Sequence, residues 1–200
     1  MVFATDMMRK LLVGGYKMTK VYEFLATGFE ETEMIVPADL LRRAGIEVCL
    51  VSITGELAVT GTHDLTITAD KKYEEIDFLD GDMLILPGGQ PGTQNLCEYK
   101  PLQELLKTWN DEGKRIAAIC AAPTFLAKIG LLKGKRATCY PACEEQILGA
   151  NISTEAVVTD GNITTSRGVG TAIDFAVEII RLLVDEKTAE NVASSIVYKT

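Results

Sequence analysis

Histidine is nearly absent from this chain: its 200 residues contain one, His63. Zinc sites built on several imidazoles are therefore excluded, and any Ser-His-Asp or Cys-His arrangement would have to use that single ring. No apolar run reaches the roughly 20 residues that a membrane-spanning helix needs. Basic residues are in deficit, with 20 Lys and Arg against 28 Asp and Glu and a net charge of -8. A general nucleic-acid binder needs a basic face to neutralise phosphates, so that class is excluded, although a local basic pocket is not. Cysteine is present without forming a framework. Cys49, Cys97, Cys120, Cys139 and Cys143 are odd in number and irregularly spaced, which is not the pattern of a disulfide scaffold. Cys139-x3-Cys143 would be half a metal site, but no second pair stands at a ligand-like spacing, so neither a metal nor another cofactor is expected.

What is present is ordinary for a globular protein. The chain is 47% hydrophobic and 24% charged, and its length suits one domain. The apolar stretch Leu11-Leu12-Val13 is too short for a signal-peptide core of about 7–15 residues, and Gly14-Gly15 ends it. Residues 1–17 read as a tag, a mis-assigned start or a disordered arm, and residues 18–200 as the domain. A cytoplasmic location is the default expectation.

Strand and helix patterns alternate. Lys20–Ala26 predicts a short buried strand ending at Thr27-Gly28. Glu30–Ala44 has helical periodicity, with acids in its first turn, Arg42-Arg43 in its last and Gly45 where a C-terminal cap belongs. Glu47–Ile53 predicts the next strand, and Leu57–Thr68 alternates like a hairpin. Asp82–Leu86, Lys114–Ile119 and Arg136–Cys139 read as strands; Pro101–Asn110 and Pro123–Ile129 read as helices. Val157–Thr159 and Ile163–Thr165 flank the turn dipeptide Asp160-Gly161, and helices follow over Gly170–Val184 and Glu186–Ser195. Such alternation predicts an α/β fold, a mostly parallel sheet with helices on both faces. Ligands bind such sheets at the carboxyl ends of the strands.

Three segments fall at those ends. In Ala118-Ile119-Cys120-Ala121-Ala122-Pro123, an apolar strand runs into a cysteine, then small residues, then a proline that can open a helix. This is the layout of a nucleophile elbow with Cys120 as the nucleophile; a helix start would also favour its thiolate. A buried structural cysteine at a strand end fits the segment equally well. Pro87-Gly88-Gly89 lets backbone N–H groups approach a ligand, as an oxyanion pocket requires, yet a tight turn would explain it too. Glu30 and Glu31 read as solvated acids favouring a helix start. Glu33 lies further in, before Met34-Ile35-Val36. It is expected to point into the cleft, where burial would raise its pKa and suit it to acid–base work.

GFEETE, LPGG, AAICAAPT and TSRGVGTAIDFA, in this order and spacing, resemble the ThiJ/PfpI superfamily, in particular the branch of parkinsonism-associated deglycase-like proteins and their bacterial relatives. The resemblance spans roughly residues 19–198. It implies a flavodoxin-like sandwich, a homodimer and a reactive Cys120 bonded to a partly protonated Glu33. It places Gly88, Gly89 and Ala121 at an oxyanion pocket and matches Arg43 to an arginine that lines the pocket across the dimer. It leaves three functions open. The first is a cofactor-independent enzyme on small carbonyls, converting 2-oxoaldehydes to 2-hydroxy acids or removing glycation adducts. The second is a redox-sensing or stress-protective protein with an oxidisable cysteine. The third, suggested only by family naming, is a role in thiazole monophosphate biosynthesis.

The chain also departs from the family pattern. The protease-like branch has His directly after the nucleophile, where Ala121 stands, so a peptidase loses its base. Tyr140, in Cys139-Tyr140-Pro141, replaces a His found in eukaryotic members; it can hydrogen-bond a substrate, but a phenol is no base near neutral pH. His63 stands where relatives carry an arginine, which weakens an anion-binding spot, and is expected at the pocket rim or the surface. Cys139 is expected near the site, as a structural or a resolving thiol.

Overall fold

Strand β1 (Lys20–Leu25) lies inside the sheet, and Val21 through Leu25 are all buried. Its side chains alternate between two cores. Tyr22 and Phe24 enter one with Leu96, Leu102, Leu106, Trp109 and Phe125; Val21 and Leu25 enter the other with Met34, Leu41, Phe175, Ile179 and Val192. The computed structural model describes residues 18–198, and the segment 1–17, read above as a tag, mis-assigned start or arm, lies outside the described residues.

Helix α1 (Glu31–Arg43) follows β1, and strand β2 (Glu47–Ser52) returns parallel to it, Tyr22 opposite Cys49. The predicted hairpin is β3 (Ala58–Thr60) with β4 (Thr66–Thr68), and β5 (Lys71–Lys72) adds the edge beside β2. The chain then crosses β1 to form β6 (Met83–Leu86), helices α2 (Gly92–Glu98) and α3 (Lys100–Asp111), β7 (Arg115–Ile119) and α4 (Ala122–Lys128). The short β8 (Arg136–Ala137) and β9 (Asn151–Ile152) pair apart from the main sheet. β10 (Val157–Asp160) and β11 (Ile163–Ser166) form the far antiparallel edge, and α5 (Ala172–Leu183) and α6 (Glu186–Ser195) close the chain.

The main sheet runs β10-β11-β7-β6-β1-β2-β5, with every pair parallel except β10–β11. This is the expected mostly parallel α/β sandwich. Strand order reverses between β1 and β6, because the chain leaves β1 toward β2 and later comes back to β1's other side. The loops after β1 and β6 diverge there and open a crevice, the usual ligand position in such sheets. Predicted boundaries hold to within a few residues. Helix α2 escaped the sequence reading because Gly-Thr-Gln-Asn opens it and Leu96 and Cys97 are its only large apolar residues. No helix among the described residues is long and apolar enough to cross a membrane.

One core position breaks the pattern. Glu23 in β1 is fully buried, and neither carboxylate oxygen has a hydrogen-bond partner among the described residues. Burial pushes its pKa well above the carboxylate range, opposed by the Arg42 guanidinium. A carboxyl whose pKa is raised by folding holds its proton longer in the folded chain than in the unfolded one. Stability is therefore lost as pH rises above the ordinary Glu range, by about 1.4 kcal/mol per pH unit until the folded group ionises. Glu23→Gln should remove that component: urea unfolding as a function of pH should show a shallower decline for the variant than for the wild type above about pH 5.

Candidate active site

Cys120 follows β7 directly and has φ of +63°, the left-handed region that a residue with a side chain occupies at a cost. Two backbone bonds hold it there. Its N–H donates to Ser166 O at the end of β11 (3.0 Å), and its carbonyl accepts the Tyr140 N–H (2.8 Å). The turn aims Sγ above the strand ends, where the N–H groups of Ala121 and Gly89 both donate toward it. Ala121 and Ala122 are small and buried, and Pro123 lies in the first turn of α4. The elbow predicted from the sequence is thus present.

Glu33 comes to the same point from α1. Its carboxylate is 0% exposed, and Oε2 accepts the Gly88 N–H at 3.0 Å. Oε1 finds no hydrogen-bond partner among the described residues, although the Cys120 thiol and the Val169 N–H lie close enough to the carboxyl to lower its pKa. The absence of side chains at two glycines makes the approach possible. A Cβ on Gly88 would stand 2.5 Å from Glu33 Oε2 and 2.6 Å from Cys120 Cβ. One on Gly168 would stand 3.6 Å from Glu33 Oε1 and 3.9 Å from Cys120 Sγ.

Burial pushes Glu33 up to about 7, with the Glu30 charge adding to the effect and the Cys120 thiol, Gly88 N–H and Val169 N–H opposing it. The thiol of Cys120 is also pushed up, by burial first and then by the Glu33 charge and hydrogen bond, against the Ala121 and Gly89 N–H groups. A helix start alone therefore does not make Cys120 a thiolate here. The two groups titrate as a pair. When Glu33 holds the proton, its repulsion of the sulfur vanishes and its O–H becomes a donor, so the thiolate form belongs with a neutral Glu33.

These residues line a cleft of about 480 Å³, with Gly89, Tyr140, Arg167 and Val169 completing its walls. Tyr140 is half exposed at the mouth. Arg167 was not assigned a role from the sequence, although TSRGVG contains it. It donates to Glu144 (3.2 Å) and lies near the Thr138 hydroxyl (3.5 Å), tying the segment around Tyr140 to the β11 end. Arg43 does not reach the cleft of its own chain. It is exposed and paired with Asp39 at 2.7 Å. Cys139 is fully buried outside the cleft lining, its S–H directed at Tyr140 O (3.4 Å). A larger groove of about 760 Å³ runs near the amino ends of β1 and β2. Its one thiol, Cys49, is a buried residue within strand β2, whereas the smaller cleft holds Cys120 on its strained turn beside Glu33.

Glu30 and Glu31 correct the expectation of solvated acids: both are buried. Glu30 Oε2 caps α1 by accepting the Glu33 N–H (2.6 Å). Glu31 turns to the hairpin and meets His63 Nδ1 at 2.9 Å. Among the described residues, Glu30, Glu31 and His63 are the group whose metal-ligand atoms converge, within 4.8 Å of one another, although His63 and Glu31 already satisfy each other there.

A parallel sandwich with a strained cysteine over a buried glutamate is the architecture of one class of protein, and the chain belongs to it: the model of the DJ-1/PfpI family matches residues 19–182. The chain is 40% identical to Protein dj-1beta of Drosophila melanogaster over 174 residues, 86% of this chain and 93% of that one. The crystal structure of that Drosophila protein superposes with a TM-score of 0.88, covering 92% of this chain and 100% of the other at 37% identity. Oxidised DJ-1 of Toxoplasma gondii superposes with a TM-score of 0.88 at 33% identity, covering 91% and 100%. A protein of Pyrococcus abyssi named a deglycase is 34% identical over 160 residues, 79% of this chain and 95% of its own.

Accessibility separates the five thiols. Cys49, Cys97 and Cys139 are buried, whereas Cys120 and Cys143 are partly exposed. Limited alkylation at neutral pH, mapped by peptide mass, should label Cys120 first and Cys143 next. Prior labelling of Cys49 or Cys97 would overturn the assignment of Cys120 as the site thiol.

Proposed function

We propose that this protein is a cysteine-dependent, cofactor-independent enzyme acting on small reactive carbonyls, either converting 2-oxoaldehydes to 2-hydroxy acids or removing the glycation adducts they form. The observation that carries this reading is the placement of the Cys120 sulfur between two backbone N–H donors and beside a carboxyl that titrates near neutrality. The thiolate adds to the aldehyde carbon, and the oxygen that becomes anionic is held by the Gly89 and Ala121 N–H groups. The neutral Glu33 gives its proton to that oxygen, and the carboxylate so formed takes the proton from that carbon and returns it to the neighbouring carbonyl carbon through an enediol. The rearranged adduct is a thioester of Cys120, and water releases it as a 2-hydroxy acid. No electrons leave the system, so no redox partner is consumed.

A second reading, reversible or protective oxidation at Cys120, is favoured by one specific relative, the oxidised form of the Toxoplasma protein. In it a neutral Glu33 would donate to a sulfinate oxygen. Under either reading the working unit is proposed to be a homodimer in which Arg43 of one copy approaches the cleft of the other.

The test is production of lactate from methylglyoxal without added thiol. Wild type should turn over, Cys120→Ala should not, and Glu33→Gln should fold yet lose at least about 10²-fold, as expected for an acid–base group. Wild-type protein that makes no lactate, yet gains two oxygens on the Cys120 peptide under mild peroxide, would favour the second reading.

A further inference from the structure

The mouth of the cleft holds a carboxylate–imidazole pair for which the mechanism above has no use. The Glu31 carboxylate, 2% exposed, is fixed by the backbone of the hairpin: Oε1 accepts the N–H groups of His63 (2.6 Å) and Leu65 (3.4 Å). The hairpin is shaped to admit it, because a Cβ on Gly61 would stand 2.4 Å from that carboxylate. The tip is pinned in turn. Thr62 N–H donates to Phe29 O and Gly28 N–H to Thr60 O, both at 2.8 Å, and the Thr62 hydroxyl donates to Gln90 O at 3.0 Å. With Nδ1 engaged by Glu31 Oε2, the other ring nitrogen, Nε2, is left without a hydrogen bond among the described residues. The side chain of His63 is 70% exposed and lines the same cleft as Cys120.

Any acyl group on Cys120 must be released by water, and water enters from the mouth. Glu33 is fully buried and held by the Gly88 N–H. A base for the water has to face solvent, be held still and offer a free lone pair when deprotonated, and an imidazole ordered by a buried carboxylate meets these needs. We propose that His63 is the base that activates water to release acyl groups from Cys120, and that Glu31 is the residue that positions its ring. The water oxygen bonds to the thioester carbon while Nε2 takes its proton. The C–S bond then breaks, its electron pair returns to Cys120, and the product leaves as a carboxylic acid. The proposal rests on the carbonyl reading for its natural acyl group, but its test does not.

The charged groups around the ring set the pH dependence. The Glu31 hydrogen bond raises the His63 pKa above its ordinary 6.5, and the charges of Glu31, Glu30 and Asp64 add to the rise. The same cleft is lined by Glu33, Cys120 and Arg167. A base works only when deprotonated, so release should speed up as pH rises through a midpoint above 6.5. Glu31→Gln removes the main cause and should move that midpoint down.

Cys120 is acetylated with p-nitrophenyl acetate, and loss of the acetyl group is followed by intact mass from about pH 5 to about pH 8 in wild type, His63→Gln, His63→Ala and Glu31→Gln. His63→Gln should deacetylate at least about 10²-fold more slowly, and imidazole in the buffer should partly restore the rate of His63→Ala. Equal rates in wild type and His63→Gln, no titration of the wild-type rate, or a Cys120 that takes no acetyl group would each overturn the proposal. Failure of the carbonyl reading looks different: acetyl release would still depend on His63, while methylglyoxal gave no lactate.

Discussion

Two acids forced together with room for one proton are the constraint around which this molecule is arranged. Glu33 and Cys120 arrive from the ends of different strands and meet where strand order reverses, the carboxyl fully buried and the thiol partly exposed to the cleft. Their ionised forms repel, and the buried carboxyl has no solvent to relieve it. The surroundings supply what compensation there is: backbone N–H groups toward the sulfur, and the Gly88 N–H toward the carboxylate. The bare glycine backbones are the other half of the arrangement, since side chains at Gly88 would separate the pair by steric force alone. A site of this kind is expensive in stability and is tolerated because the sheet beneath it is buried on both faces.

The helix start above the cleft divides its labour among neighbouring acids. Glu30 caps the helix, Glu31 binds the hairpin, and Glu33 turns to the sulfur, so three carboxylates within four residues have three different environments. Identical chemistry is differentiated by direction, because successive positions on a helix point about 100° apart. Burial pushes Glu33 up to about 7, whereas the hydrogen bonds from His63 and Leu65 hold the equally buried Glu31 below the usual carboxylate range.

Much of the fold could be read from periodicity, because its helices and strands bury one stripe or two full faces. Cys120 could be located as an elbow from the small residues after an apolar strand. Its connection to Glu33 could not be read from spacing, since nothing local links the loop after β1 to the loop after β7; that link came from the family pattern. Glu31 was misread for a related reason. An acid in a first helical turn is by default solvated, and only the hairpin folding back over it, a long-range event, makes it a buried partner of His63. Arg167 sat inside a recognised motif with no role because its meaning depends on Glu144 and Thr138, two segments away. The edges of elements, and short helices such as α2 with few apolar residues, were invisible for want of a pattern.

The left-handed turn at Cys120 has a mechanical consequence. The peptide groups on either side of the residue are bonded to different parts of the chain, to Ser166 at the sheet edge and to Tyr140 in the loop over the cleft. The sulfur's position is therefore the sum of two anchorages, like a string stretched between pegs. A length change in the loop before Pro141, or a slip of β11 against β7, would be transmitted to the reactive atom without any side chain in the cleft being altered. Variation among related chains should accordingly be freer at the outer walls of the cleft than in the length of these two connecting segments.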